Sequence, residues 1–219
     1  MATAYRKFKK YEPAYQVLSI AIAADTGNFI LQQLTLPIAI QLKKFNEVVT
    51  VGERLLKAGS DANVVKDVGL AHYYLKNYSK AISFFKMLET HDMQTETTLY
   101  FTALSYRNLK NYKLATDYTK RTIDESISTN ISSYYALLGT TYEENGQVTP
   151  AVTAFKRGLQ YKNNASIFYS LGLIYDLKLK QKTNALKYYN LYLGQKPDAK
   201  EEKDQIAYVK DRIAALKAK

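Results

Sequence analysis

Residues 68–85 read VGLAHYYLKNYSKAISFF. Within them, Tyr73-Tyr74-Leu75-Lys76-Asn77-Tyr78 is followed three residues later by Ala81. A near copy runs Tyr106-Arg107-Asn108-Leu109-Lys110-Asn111-Tyr112 and is followed by Ala115. The two alanines lie 34 residues apart, and self-similarity at one fixed spacing of that size marks an array of helical repeats.

Working outward from this pair, each unit reads as two antiparallel helices. The first ends in a Gly or Asn turn. The second opens with an aromatic residue, carries a small residue three places later, and carries a bulky aromatic four places after that, one helical turn along. The small residue lets two backbones approach, and the aromatic is expected to plug the gap to the next unit. The small places are Ala14, Val48, Ala81, Ala115, Ala151 and Ala185. They divide the chain into a half-unit over 4–25, units over 29–58, 62–92, 96–125, 132–162 and 165–197, and a tail helix over 198–217. An array has no interior boundary, so 1–219 is expected to be a single domain.

Local departures carry their own expectations. Pro37 lies inside a first helix, where proline removes a hydrogen bond and kinks the chain. Thr119 stands where the fourth unit's aromatic plug belongs, with Tyr118 beside it, so looser packing is expected there. The connection 126–131 holds two extra residues, and the turn over 177–184 holds one, with Lys182 in place of an aromatic. In the tail, Ile206, Val209, Ile213 and Leu216 recur at helical spacing between charges. Asp198 is a fair N-cap for such a helix. One face then covers the last unit and the other meets water.

Composition narrows the function classes. The chain has 219 residues, 47% of them hydrophobic, with nine Gly and four Pro, too few turn formers for a sandwich or barrel. It has no cysteine, hence no disulfide framework, thiolate chemistry or zinc ribbon. Apolar runs such as 34–40 fall far short of the ~20 residues of a membrane helix. The opening MATAYRKFKK has no signal-peptide core. That leaves the compartment open between the cytoplasm and the exported part of an envelope protein. A composition rich in Lys, Asn and Tyr associates with AT-rich bacterial genomes.

The net charge of +11 sits at the ends. Residues 1–10 hold four Lys/Arg and no acid, and residues 178–219 hold eleven against five. Residues 11–177 hold sixteen against fifteen. A nucleic-acid binder would carry its positive stripe along the array. RNA binding by a basic helical array therefore stands only as the alternative, supported by a pI near 9.5.

Catalytic and metal patterns are not found in the sequence. His72 and His91 are isolated, and His72 reads as a satisfied core histidine. Adjacent Glu143 and Glu144 point about 100° apart on a helix and read as a solvated helix end. No phosphate loop, HExxH or CxxC spacing occurs. The expectation is no enzyme, no metal and no cofactor.

The units resemble tetratricopeptide repeats. The likeness rests on Val68-Gly69, His72, Tyr78, Ala81 and Phe85; on Leu138-Gly139, Tyr142, Val148, Ala151 and Phe155; and on Leu171-Gly172, Tyr175, Ala185, Tyr189 and Pro197. It departs from the family at the early Trp, replaced by Val65, Leu99, Tyr135 and Phe168. The resemblance implies an all-α, right-handed superhelical solenoid with a capping helix, whose first helices line a groove that binds proteins or peptides. Residue by residue, it places Gln33, Asn63, Lys66, Leu70, Tyr73, Tyr74, Tyr100, Leu104, Arg107, Asn108, Thr140, Glu143, Tyr169 and Asp176 in that groove. One sub-family grips a C-terminal carboxylate with Lys, Asn and Arg. Here the matching places hold Gln33, Tyr100, Ala136 and Tyr169, with Lys66 the only cation, so that clamp is not expected. The half-unit leaves an apolar helix face that a second copy of the chain, or an upstream segment, would cover.

Overall fold

The structure, a computed structural model, describes residues 9–59, 61–126 and 129–218. Among these residues there are twelve α-helices and no strand. The expected half-unit lies partly outside them, over 4–8, as do Ile127 and Ser128 of the long connection.

One compact unit reaches to Asn111 and a second begins at Tyr112, a division that falls within 96–125. The first holds α1 (Tyr11–Ala24), α2 (Phe29–Gln41), α3 (Phe45–Ala58), α4 (Ala62–Tyr74), α5 (Tyr78–Glu89) and α6 (Glu96–Asn108). Consecutive helices pack on one another, and α4 also touches both α2 and α6. The second holds α7 (Tyr112–Glu125), α8 (Ile131–Glu144), α9 (Val148–Tyr161), α10 (Ala165–Leu173), α11 (Lys182–Gly194) and α12 (Lys203–Lys217). There too, neighbours along the chain pack together.

The small residues of the period are fully buried. Ala14, Val48, Ala81, Ala115, Ala151 and Ala185 are all 0% exposed. The aromatic one turn later does more than fill the gap to the next unit, because its ring lies first against a glycine of its own first helix. A Cβ on Gly69 would come within 2.6 Å of the Phe85 ring, and one on Gly139 within 2.5 Å of the Phe155 ring. Tyr189 covers Gly172 in the same way. Phe155 then continues into a cluster with Ile167, Phe168 and Leu171 of the following helix. At Thr119 the expected looseness is not found. The side chain is 0% exposed and its hydroxyl donates to the Ala115 carbonyl at 2.7 Å. Helix α2 runs through Pro37 to Gln41.

The turns between paired helices share one geometry, and mostly they do not use glycine or asparagine for it. Lys43, Lys76, Lys110 and Lys180 adopt φ of 58°, 62°, 59° and 54°, and Gly146 adopts 76°. After α4, the Lys76 amide donates to Tyr73 O and the Asn77 amide to His72 O, both at 2.9 Å. The same pair of bonds closes α6 at Lys110 and Asn111, and α8 at Gly146 and Gln147. This is a left-handed helix stop, which a lysine adopts at a cost of about 1 kcal/mol.

Three expectations need correction. The extra residue assigned to the turn over 177–184 is absorbed earlier, as a π-helical turn Ile174–Lys178 that continues α10. The tail helix starts at Lys203 rather than near 198. Asp198 instead caps a preceding turn, its Oδ1 accepting from the Lys200 and Glu201 amides. Its apolar face is as expected, with Val209 0% exposed and Ile206, Ile213 and Leu216 half-buried in the same cluster. His72 is buried but not satisfied: neither ring nitrogen has a hydrogen bond among the described residues. Nε2 lies 3.5 Å from Glu53 Oε1, and the ring stacks on Phe84. Burial pushes its pKa down and keeps it neutral.

Replacing Lys76 by glycine relieves the left-handed backbone without touching the core. We expect Lys76→Gly to raise unfolding stability by about 0.5–1 kcal/mol in chemical denaturation, and an unchanged or lower midpoint would contradict the strain at this turn.

Candidate functional site

In the first unit, α4 and α6 share an aromatic cluster that also takes in Phe45 of α3 and Tyr78 of α5. Tyr73 and Tyr74 end α4 because the left-handed stop follows at once. Their rings meet Phe101 of α6 edge-on, with centroids 4.8 and 5.8 Å away. Tyr100 meets the same Phe101 at 5.5 Å, and Phe45 stacks on Tyr74 at 4.8 Å. Tyr74 remains 46% exposed. Burial raises the pKa of Tyr73 and Tyr100, and the Arg107 guanidinium nearby pulls both back. Leu104 and Arg107 are half-buried on α6, while Asn108 is exposed with its amide donating to Leu104 O at 2.8 Å.

Toward the N-terminal end of α4, a pocket of about 330 Å³ opens between α2 and α4. Its α2 wall is Ile30, Gln33, Leu34 and Pro37, and its α4 wall includes Asp61, Asn63, Lys66 and Asp67. Asp67 is only 4% exposed. Its nearest cation is Lys66 Nζ at 3.8 Å, an ammonium that also donates to Asn63 Oδ1. Burial drives the Asp67 carboxyl from an ordinary 3.8 up to about 6.

In the second unit, Thr140, Glu143 and Tyr169 are half-buried. The Thr140 hydroxyl donates to Ala136 O at 3.0 Å, and the Tyr169 ring lies 5.3 Å from that of Tyr192. Glu143 is not the solvated residue expected, since burial raises its pKa against the pull of Lys178. Asp176 is not a groove residue at all. The π-helical turn rotates it inward, where Arg212 of α12 binds both carboxylate oxygens at 2.8 Å and the Tyr189 hydroxyl donates at 3.1 Å. That clasp holds its carboxyl below the usual range.

The family model described as tetratricopeptide repeat matches residues 132–164 and 165–198. Residues 132–198 carry two tetratricopeptide repeats. Solved tetratricopeptide-repeat structures share its fold. The C-terminal part of a repeat-containing protein from Cytophaga hutchinsonii is 18% identical, with a TM-score of 0.74 over 99% of this chain and 86% of its own. PilW, described as a widely conserved type IV pilus biogenesis factor, is 18% identical with a TM-score of 0.79, covering 94% of each chain. YrrB, described as having an unusual peptide-binding site, is 18% identical with a TM-score of 0.65 over 83% of this chain and 93% of its own. No curated protein matches the sequence. The tetratricopeptide-repeat fold is a scaffold for protein interactions, and its members are generally not enzymes. Among the described residues, no helix is long and apolar enough to cross a membrane, and no three His, Cys, Asp or Glu side chains gather as metal ligands would.

Phe101 and Asp67 were missed in the repeat sequence. Asp67 had a signal, an acid set inside the apolar run VVKDVGLA where neither face of α4 would shield it cheaply. Its pH sign follows from the raised pKa. The folded chain holds this proton more tightly than the unfolded one, so the contribution is favourable below about pH 4. It is lost as pH rises through about 6. At pH 7.5, Asp67→Asn is expected to stabilise the protein by on the order of 2–3 kcal/mol, with the gain vanishing near pH 4. Paired thermal melts at the two pH values measure this, and a destabilised mutant at pH 7.5 would contradict it.

Proposed function

We propose that the chain is a non-enzymatic binding scaffold that takes a peptide segment of a partner protein along the first helices of its repeats. The observation that carries this reading is the aromatic surface of Tyr73, Tyr74, Tyr100 and Phe101 beside Arg107, on adjacent first helices of one compact unit. Tyrosine offers a large apolar face and a polar tip at little entropic cost, and Tyr and Arg dominate binding energy at interfaces. The same reading takes in Asn63, Lys66, Leu70 and Leu104. Thr140, Glu143 and Tyr169 extend the reading to the second unit, and Asp176 is withdrawn from it. The peptide-binding site named for YrrB lends the same direction.

Peptides selected from a displayed random library against the full chain provide the probe. Tyr100→Ala with Arg107→Ala is expected to weaken the selected peptides at least tenfold in fluorescence anisotropy, while lowering the melting temperature by only about 2–4 °C. Undiminished affinity would remove the groove assignment. A labelled oligouridylate in the same assay covers the nucleic-acid alternative: binding that falls steeply with salt would favour it. For self-association, Ile20 on α1 is 73% exposed, and light scattering reads whether a second copy covers it.

A further inference from the structure

The pocket between α2 and α4 is lined by the carboxylates of Asp61 and Asp67, the amides of Gln33 and Asn63, the Lys66 ammonium and alkyl surface. Asp67 stands at its wall as a carboxylate 96% withdrawn from solvent. Gln33, on α2, also lines the pocket. Pro37, one turn on, has no N–H to offer the Gln33 carbonyl four residues back, so an acceptor is released on the same wall. Asp61 and Asn63 complete the polar side, although the Asp61 carboxylate already accepts from the Asn63 and Val64 amides. The rest of the lining is apolar and open: Ile30 is 70% and Leu34 40% exposed.

We propose that this pocket is a socket for the side chain of a lysine or arginine in the partner segment, its head on Asp67 and Gln33 and its stem on Ile30, Leu34 and Pro37. This deepens the peptide-binding reading and rests on it. The chemistry is that of a long basic side chain, which buries a hydrocarbon stem while directing its charge to an acceptor. Lys66 fills the role only in part. Its ammonium pairs with Asp67 at a long 3.8 Å while donating to Asn63, and burial still outweighs its pull on the carboxyl. An incoming cation has a buried carboxylate to neutralise, and it displaces the proton that burial favours there. Lys66 and Asp61 are the charges that act on Asp67; α2 has no ionisable residue, and none of the charges of α3, α5 or α6 is among them. Occupancy is therefore coupled to the Asp67 proton.

The test uses the full ¹⁵N-labelled chain and three probes, N-acetyl-lysinamide, N-acetyl-argininamide and the uncharged N-acetyl-norleucinamide. The basic probes are expected to give saturable amide shifts over 30–37 and 61–67, with norleucinamide giving none. Affinity should be about tenfold weaker at pH 5 than at pH 7, as protonation at about 6 requires. Asp67→Asn should abolish the response while leaving the melting temperature equal or higher, so lost binding cannot be put down to lost folding. Gln33→Ala, on the other wall, should weaken it about three- to tenfold. An equal response to norleucinamide, shifts centred elsewhere, or an unchanged Asp67→Asn protein would each overturn the socket. Tighter binding of putrescine than of either side-chain probe would overturn the commitment to a peptide. Loss of the socket with Tyr100 and Arg107 still needed for the selected peptides would remove this proposal and leave the groove standing.

Discussion

Everything in the two compact units depends on helix backbones coming close at side chains too small to hold them apart. Alanine or valine recurs at these points with no exposed surface at any of them. The approach is locked by a ring from the second helix lying on a glycine of the first, as Phe85 lies on Gly69 and Phe155 on Gly139. Interiors packed to this density transmit a single added methyl group as a clash. The constraint is one of shape, so it recurs wherever the pattern recurs and leaves the outward residues of each helix uncommitted.

That freedom explains where binding chemistry can sit. A first helix spends one face on its partner and another on the neighbouring first helix, as the contacts of α4 with α5, α2 and α6 require. What remains is a narrow strip at helical spacing, and in α4 it holds Asn63, Lys66, Leu70, Tyr73 and Tyr74. The aromatic end of the strip is stiffened by ring contacts with Phe101. Rings held in this way lose little entropy on receiving a guest.

The fold was legible because a 34-residue period of small and aromatic residues admits few other structures. Features that break the period were not. Lysine at φ near +60° in four turns could not be read from residue type, since lysine has no preference for that region. Here the helix-stop hydrogen bonds override the local cost. The extra residue before Asn184 could equally well lengthen a turn or widen a helix; the helix widens, and Asp176 in the π-helical turn pairs with Arg212, 36 residues away. Asp176 was misplaced for that reason: its groove-facing position holds only if α10 stays regular. Candidate residues on regular helices, Tyr73 and Tyr100 among them, are half-buried and meet at Phe101, a partner that depends on the distance between two helices.

Helix α4 carries two ionisable groups that burial penalises in opposite senses. His72 is kept neutral and resists protonation as pH falls, and Asp67 resists ionisation as pH rises. Near neutrality, above the raised Asp67 value of about 6, the helix therefore bears a charged Asp67 that an isosteric amide would spare it. A residue that opposes the local rule without a packing gain is characteristic of sites where the fold gives up stability for function. His72 at least fills core volume against Phe84. Asp67 borders an open pocket, and Lys66 at 3.8 Å offsets only part of the cost of its charge.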